Sequence, residues 1–354
     1  MFFYLFILLY LICIAGRYHI CGNSIKKDLK LKISFFILTF IAIFRFNIGG
    51  DYANYWNAIW PVLTKEFYRW EIIPRLIGYI AYFVKYPPLF FIIIGIPTYY
   101  FFYKGILENS ISYYESLIIF FSVFYLDTML FARSILAASI LFWASKFVFN
   151  KQLGKYLLVC IICFFIHKTS LIALPIYFIY NYIDWKVSFI GTILVIVFKK
   201  FLLSKLGVLG IYSDYFITLG SLQGGNSLKY FYVLIIIFIA VVSISKHDFN
   251  IQLKHSLSVL IAGTFFPFVF GGHIGMRLSW FYFIYLCYAW PVALRKFSIK
   301  ERAIYLCGFY LFFILLLGIS IKTHPTNSPY TPYSTIFFID KNKVFNEKLI
   351  LKRK

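Results

Sequence analysis

Three apolar runs, PPLFFIIIGIPTYYFFY (87–103), ESLIIFFSVFYLDTMLF (115–131) and RSILAASILFWASKFVF (133–149), follow one another with only short polar breaks. Each is nearly long enough to cross roughly 30 Å of hydrocarbon as a helix, and Tyr and Trp at the ends extend such runs into the interface. Nine similar runs lie on either side, near 1–16, 33–46, 155–166, 169–183, 187–203, 229–245, 256–271, 276–294 and 302–321. Twelve spans with short connections use up the chain. The expected fold is therefore all-α and polytopic, one membrane domain over 1–340 followed by a basic tail, 341–354.

Composition agrees. Of 354 residues, 62% are hydrophobic and 14% charged, with a mean hydropathy of +0.81. Soluble domains sit near half apolar and a quarter charged. The net charge of +22 does not indicate nucleic acid, because the basic residues stand singly or in small groups between apolar runs. That is the pattern of topology signals and headgroup contacts. Cys160 and Cys163 form a CxxC inside an apolar run with no second pair, so neither zinc nor redox chemistry is expected. The opening MFFYLFILLYLICIAG has no basic residue before its apolar stretch and reads as a first span rather than a cleaved signal.

Lys and Arg set the orientation. Arg17, Lys26, Lys27, Lys30 and Lys32 mark the first linker as cytoplasmic, and alternation then brings Lys146, Lys151, Lys155, Lys246, Lys254, Arg295, Lys296, Lys300 and Arg302 to the same side. This holds only if 70–86 does not cross. It is therefore expected as a helix in or dipping into the outer interface, inside a long outer loop spanning 47–86. Other long outer segments are 204–228 and 322–340. Twelve crossings leave the basic tail outside, against the charge rule.

One side of the membrane then collects polar residues: Arg45, Asp51, Tyr52 and Tyr55 after the second span, Glu71, Arg133, the pair His167–Lys168, His273, Arg277 and Tyr330. Charges pressed between apolar runs usually face a protein cavity or a partner, although single Lys and Arg also snorkel to headgroups. Arginine forks suit phosphate oxygens, so Arg45, Arg133 and Arg277 are candidates for a diphosphate. Taken singly, His167 and His273 read equally as turn histidines, and Asp51 as a loop or cap residue. Neither a P-loop nor an Asp-x-Asp nor an HExxH is present, and no metal or other cofactor is expected.

The stretches FRFNIGGDYANYWNAIW (44–60), ARSILAASILFWASKF (132–147), FFIHKTSLIALPIYF (164–178), MRLSWFYF (276–283) and SPYTPYSTIFF (328–338) resemble, in order, the motifs of the EpsG family of bacterial exopolysaccharide polymerases. Arg45, Asp51, Tyr55, Glu71, Arg133, His167 and Arg277 fall on its polar positions; Ile135 and Leu136 stand where the family often has a further polar residue. The resemblance implies a Wzy-type polymerase of O-antigen or capsule in the bacterial inner membrane, related to the GT-C class. Such enzymes join repeat units carried on undecaprenyl diphosphate at the periplasmic face. The lipid-linked oligosaccharide and the bilayer are the expected partners, with a chain-length regulator as a further one.

On that reading Arg133 and Arg277, then Arg45, hold the diphosphate. Asp51, ranked first, Glu71 and His167 are the candidate bases, Tyr52 and Tyr55 stack on or hydrogen-bond sugar, and Lys168, His273 and Tyr330 complete the substrate-binding set. Two other classes stay open, a flippase or transporter of the lipid-linked oligosaccharide and an O-antigen ligase or membrane acyltransferase. Against the transporter stand the long 47–86 loop and the lack of an internal repeat.

A fork on phosphate and a snorkelling cation differ in their tolerance of lysine. Arg277→Lys and Arg277→Ala are both expected to lose most of the polysaccharide ladder at unchanged membrane abundance. Loss of one charge-assisted contact to a departing diphosphate costs about 2–4 kcal/mol of barrier. A lysine variant with a normal ladder removes Arg277 from the diphosphate.

Overall fold

The computed structural model describes residues 2–18, 25–199, 201, 226–245, 250–270, 272–323, 330–338 and 349. Among them helices prevail and no β-strand forms. Helix α1 is Phe2–Tyr18, α2 Ile25–Ile43, α3 Tyr52–Ile59, α4 Lys65–Tyr68, α5 Ile72–Phe83 and α6 Pro88–Asn109. Then come α7 (Tyr113–Ile119), a π-helical segment (Phe120–Tyr125), α8 (Leu126–Thr128), α9 (Ala132–Phe149) and α10 (Leu153–Ile166). A 3-10 turn (Lys168–Ala173) leads into α11 (Leu174–Tyr182) and α12 (Trp185–Val197). The rest are α13 (Asn226–Ser245), α14 (Ile251–Phe270), α15 (Gly272–Phe283), α16 (Leu286–Ala293), α17 (Ile299–Thr323) and a 3-10 turn at Ile336–Phe338.

Helix occurs at every one of the twelve apolar runs, as it must where no water is at hand to satisfy the backbone. Four of these helices are long and apolar enough to cross a bilayer on length and composition: Pro88–Asn109, Ala132–Phe149, Ile251–Phe270 and Ile299–Ile319. Their outward faces, and those of the shorter helices, expose side chains such as Phe6, Phe36, Leu234 and Leu315 that water would not tolerate in such number. The chain is a multi-pass membrane protein. The segment 204–225 and the tail, apart from Leu349, lie outside the described residues.

Packing divides the chain into two compact units. The first comprises residues 1–143, 162–168 and 298–354. In it α2 and α5 pack on α6, and α17 packs on α7 and the π segment. The π segment is fully enclosed, and Tyr125 Oη donates to the Leu38 carbonyl at 2.9 Å. The buried Glu115 at the start of α7 pairs with Arg302 of α17 at 3.2 Å. The second unit comprises 144–161 and 169–297, with α14 at its centre against α11, α12, α13, α15 and α16. Ser258 of α14 donates to the Ile183 carbonyl, and its own carbonyl accepts from Ser188 of α12, both at 2.8 Å.

The 70–86 stretch contains α5, a helix of 12 residues, or about 18 Å, one of several apolar helices shorter than a full span, with α10 at 14 residues and α12 at 13. Its exposed face carries Ile72, Leu76, Ile80 and Phe83, spaced as one stripe, while Pro74, Gly78 and Ala81 are buried. Gly78 is required by packing: a Cβ there would sit 2.4 Å from the Phe67 ring. An exposed apolar stripe on a short helix is what an interfacial helix presents to lipid.

Cys substitutions at positions 65, 151 and 349 in a cysteine-free background test the alternation. Positions 65 and 349 are expected to react with an impermeant maleimide in intact cells. Position 151 is expected to react only after permeabilisation, and its labelling in intact cells overturns the alternation.

Candidate functional site

The first unit draws three of the polar segments together. Arg45 lies just past the end of α2 and is 4% exposed. Its Nε donates to the Ile48 carbonyl at 3.1 Å, Nη2 to Met129 at 3.3 Å, and Nη1 to Ala42. Its guanidinium also lies 5.3 Å from the Phe91 ring centre and 5.7 Å from that of Tyr52. Gly49, with φ +101°, lets the chain press on the same turn, since a Cβ would fall 2.0 Å from the Met129 oxygen. The segment after Tyr330 then closes on this loop. Arg45 and Thr335 form an antiparallel bridge, Phe46 N donates to Ser334 O at 2.8 Å, and Ile336 N donates to Phe44 O at 3.0 Å.

The turn that Arg45 and Gly49 hold feeds directly into α9, whose second residue is Arg133. Arg133 Nη1 donates to Glu71 Oε2 at 2.8 Å. The other carboxylate oxygen, Oε1, accepts the Lys168 backbone N–H at 3.1 Å and lies 3.2 Å from His167 Nδ1. The Arg133 guanidinium stands 5.1 Å from the Trp70 ring centre and 5.6 Å from that of Tyr55. Thus α3, the turn before α5, the start of α9 and the junction of α10 with its 3-10 turn meet at one carboxylate.

Local structure explains why Glu71 is available. It stands at the N-cap of α5 with extended backbone, but its side chain does not cap the helix. His167 ends α10 by donating its amide to Cys163 O at 2.8 Å, which presents the next amide, that of Lys168, to Glu71. Burial pushes the Glu71 carboxyl up. The hydrogen bond and charge of His167, the Arg133 charge and the Lys168 amide outweigh that, and hold it down at about 2. Glu71 is therefore an acceptor-only anion at neutral pH. The ring nitrogen facing it is His167 Nδ1, at 3.2 Å, which leaves Nε2 on the side away from the carboxylate.

The other expected residues divide as follows. Asp51 stands at the N-cap position of α3, one turn before Tyr55, without a side-chain capping bond, and its Oδ1 accepts from Asn54 Nδ2 at 3.3 Å. Tyr52 is 1% exposed and stacks on Phe91 at 4.0 Å, so neither ring face is open to a sugar. Tyr55 is buried against Trp70, Phe90 and Arg133. Tyr330 is buried and hydrogen-bonds with Asp127. Arg277 lies on α15 in the second unit. The His273 side chain lies outside the described residues.

Trp70, Arg69 and Arg75 flank the cluster without having been expected in it. The signal was present, since Arg69-Trp70-Glu71 are consecutive and Arg75 follows Glu71 by one helical turn, but charge next to charge in a loop also describes a solvated surface. The structure adds another contact that spacing could not reveal. Asn57 exchanges two hydrogen bonds with the Leu349 backbone, both 2.9 Å, which ties the tail to the 47–86 loop.

An all-helical, multi-pass protein in which distant polar motifs converge on one buried ionic cluster is the class these features define. The sequence matches the EpsG family across residues 30–335, and the chain belongs to this family, that of Wzy-type polymerase-like proteins. No curated protein and no solved structure matches the chain.

Removing one partner of a largely buried ion pair leaves the other charge unpaired. Glu71→Gln and Arg133→Gln are each expected to destabilise the protein by about 2–3 kcal/mol. The double variant should recover about 1–3 kcal/mol of the sum, since the two residues touch. The Glu71 carboxyl is lower in the folded protein than its ordinary 4.5, so its contribution is present above pH 4.5 and is lost as pH falls towards 2. The difference in melting temperature between wild type and Glu71→Gln should accordingly be flat from pH 7 to 5 and shrink below. Additive losses, or a difference that vanishes by pH 5, contradict the cluster.

Proposed function

We propose that the chain is a polysaccharide polymerase of the bacterial inner membrane. It transfers a glycan from undecaprenyl diphosphate to the lipid-linked repeat unit at the periplasmic face, crossing the membrane twelve times. The observation that carries the reading is the convergence of Glu71, Arg133 and His167, polar positions far apart in the sequence, on one carboxylate-centred cluster. Family membership supports polymerase-like chemistry.

The contacts within each unit support twelve crossings. Pairs assigned by alternation to the outer side touch one another: Arg45 with Thr335, Glu71 with Arg133 and His167, Asn57 with Leu349. Pairs assigned to the inner side do the same: Glu115 with Arg302, Asn109 with Trp143, and in the second unit Asn181 with Val148. No pair among them joins an outer to an inner end. This also favours an outer position for the tail despite its charge.

The cluster changes the order of the base candidates. Glu71 has both oxygens engaged and a depressed pKa, so it is a poor proton acceptor. Its role is to hold His167 by Nδ1, as a carboxylate orients a catalytic imidazole. His167 Nε2 then takes the proton of the acceptor hydroxyl as its oxygen attacks the anomeric carbon. The bond from that carbon to the diphosphate oxygen breaks, and the leaving diphosphate keeps the electron pair. Asp51 stays the alternative base. Arg133 acts through Glu71, and Arg45 is a strut between the first and second motifs.

Purified protein reconstituted with lipid-linked repeat units tests the proposal. A ladder of products is expected, in the presence of EDTA, without added core oligosaccharide. His167→Gln should reduce its rate about 100-fold or more, the range of general-base catalysis. A flippase gives no ladder, a ligase requires the core acceptor, and a ladder abolished by EDTA and restored by a divalent ion overturns the metal-free mechanism.

A further inference from the structure

A cleft of about 450 Å³ opens beside the cluster, within the first unit, lined by Tyr68, Arg69, Trp70, Glu71, Ile72, Arg75, Phe164, Phe165 and Lys168. Its volume falls in the range of small-molecule sites, roughly 300–1,000 Å³. Three cationic side chains stand on its wall: Arg69, Arg75 and Lys168. The one acid on that wall is Glu71, and both its oxygens are taken by Arg133, His167 and the Lys168 amide. Among the described residues no carboxylate pairs with Arg69, Arg75 or Lys168. Among the described residues the Arg75 guanidinium donates to the Tyr68 carbonyl, at 3.3 Å. The cleft thus holds about three uncompensated positive charges.

The floor has the opposite character. Phe164 and Phe165 end α10, and Ile162 and Phe165 are exposed one above the other on it, 45% and 40%. On the other side Ile72 and Leu76, 48% and 57% exposed, begin the apolar stripe of α5. Cations and exposed apolar side chains side by side fit an amphiphile, with an anionic head in the cleft and an apolar tail along either helix. Arginines in pairs favour phosphate oxygens over a lone carboxylate, because each fork can engage two of them.

We infer that this cleft binds the phosphate head of a lipid through Arg69, Arg75 and Lys168. Two sources share that chemistry, the diphosphate of a polyprenyl-linked donor and the head of an anionic phospholipid. The donor assignment rests on the polymerase reading and would seat the diphosphate next to the Glu71–His167 pair, on residues other than Arg133. Lys168 joins the site by its position: its backbone fixes Glu71 while its side chain serves the cleft.

The test is equilibrium binding of farnesyl diphosphate to the full chain in phosphatidylcholine nanodiscs, with farnesol as the probe lacking phosphate. Farnesyl diphosphate should bind and farnesol should not. Arg69→Gln/Arg75→Gln should weaken binding tenfold or more, and Lys168→Gln severalfold. Arg69→Lys/Arg75→Lys should recover part of the loss, which a merely unfolded variant would not. Unchanged affinity in the Gln double variant, at wild-type abundance and melting temperature, overturns the cleft. Competition separates the sources. Undiminished binding in discs containing phosphatidylglycerol supports the donor, and full displacement assigns the cleft to bulk phospholipid and overturns the donor assignment. Binding does not require turnover. If the reconstituted chain makes no ladder but the Gln variant loses binding, the polymerase reading fails and the cleft stands. If the ladder forms and binding is unaffected, the reverse holds.

Discussion

A carboxylate or guanidinium taken out of water must find partners nearby, and in this chain that requirement decides where distant segments meet. Glu71 is the clearest case. Its charge is only tolerable because Arg133, His167 and one backbone amide converge on it. Arg45 obeys the same rule in reverse, supplying three donors to carbonyls left over at the end of α2 and before α9. The two side chains act in series: Arg45 and Gly49 seat the first motif on the turn at Met129, and that turn launches the helix bearing Arg133. The position of the ionic cluster is thus fixed by backbone as much as by charge.

This arrangement separates residues that hold the site from residues free to act. Arg45, Arg133, Tyr52 and Tyr55 have their polar or aromatic surfaces occupied by neighbouring protein. Arg69, Arg75 and Lys168 do not. The family motifs therefore mark, for the most part, the scaffold of the site. Two of the charges that remain available, Arg69 and Arg75, lie between the motifs, on a turn and a short helix that none of them covers, and Lys168 follows His167 within one.

The helices were legible because lipid imposes one rule on every segment: an apolar run must satisfy its own backbone, and helix is the local way to do so. The runs at 87–103, 115–131 and 133–149 could be read for that reason, although the π turn at Phe120–Tyr125 could not, since nothing in FFSVFY distinguishes it from ordinary helix. At the site the sequence placed Glu71, Arg133 and His167 on one side, because basic-residue alternation sorts residues by side. Which of them touch depends on the height and rotation of each helix, which side alone does not determine. Arg45 and Arg133 looked alike as arginines beside apolar runs. One turned out to serve carbonyls and the other a carboxylate. The two compact units were equally invisible, since their boundary runs through the middle of α9 and α10 rather than through a linker.

That division bears on how the protein is made. The second unit is nearly continuous, from 144 to 297, so almost all of it has left the ribosome before the chain is finished. The first unit is split around it. Its N-terminal part waits for α17 to reach Glu115, for Ser334 and Ile336 to close on Phe44 and Phe46, and for Leu349 to reach Asn57, a partner 292 positions earlier. The edge of the loop after α2 is therefore completed by segments made long after it. Loss of the segment around Ser334 and of Leu349 would leave the edge of the loop after α2 uncovered.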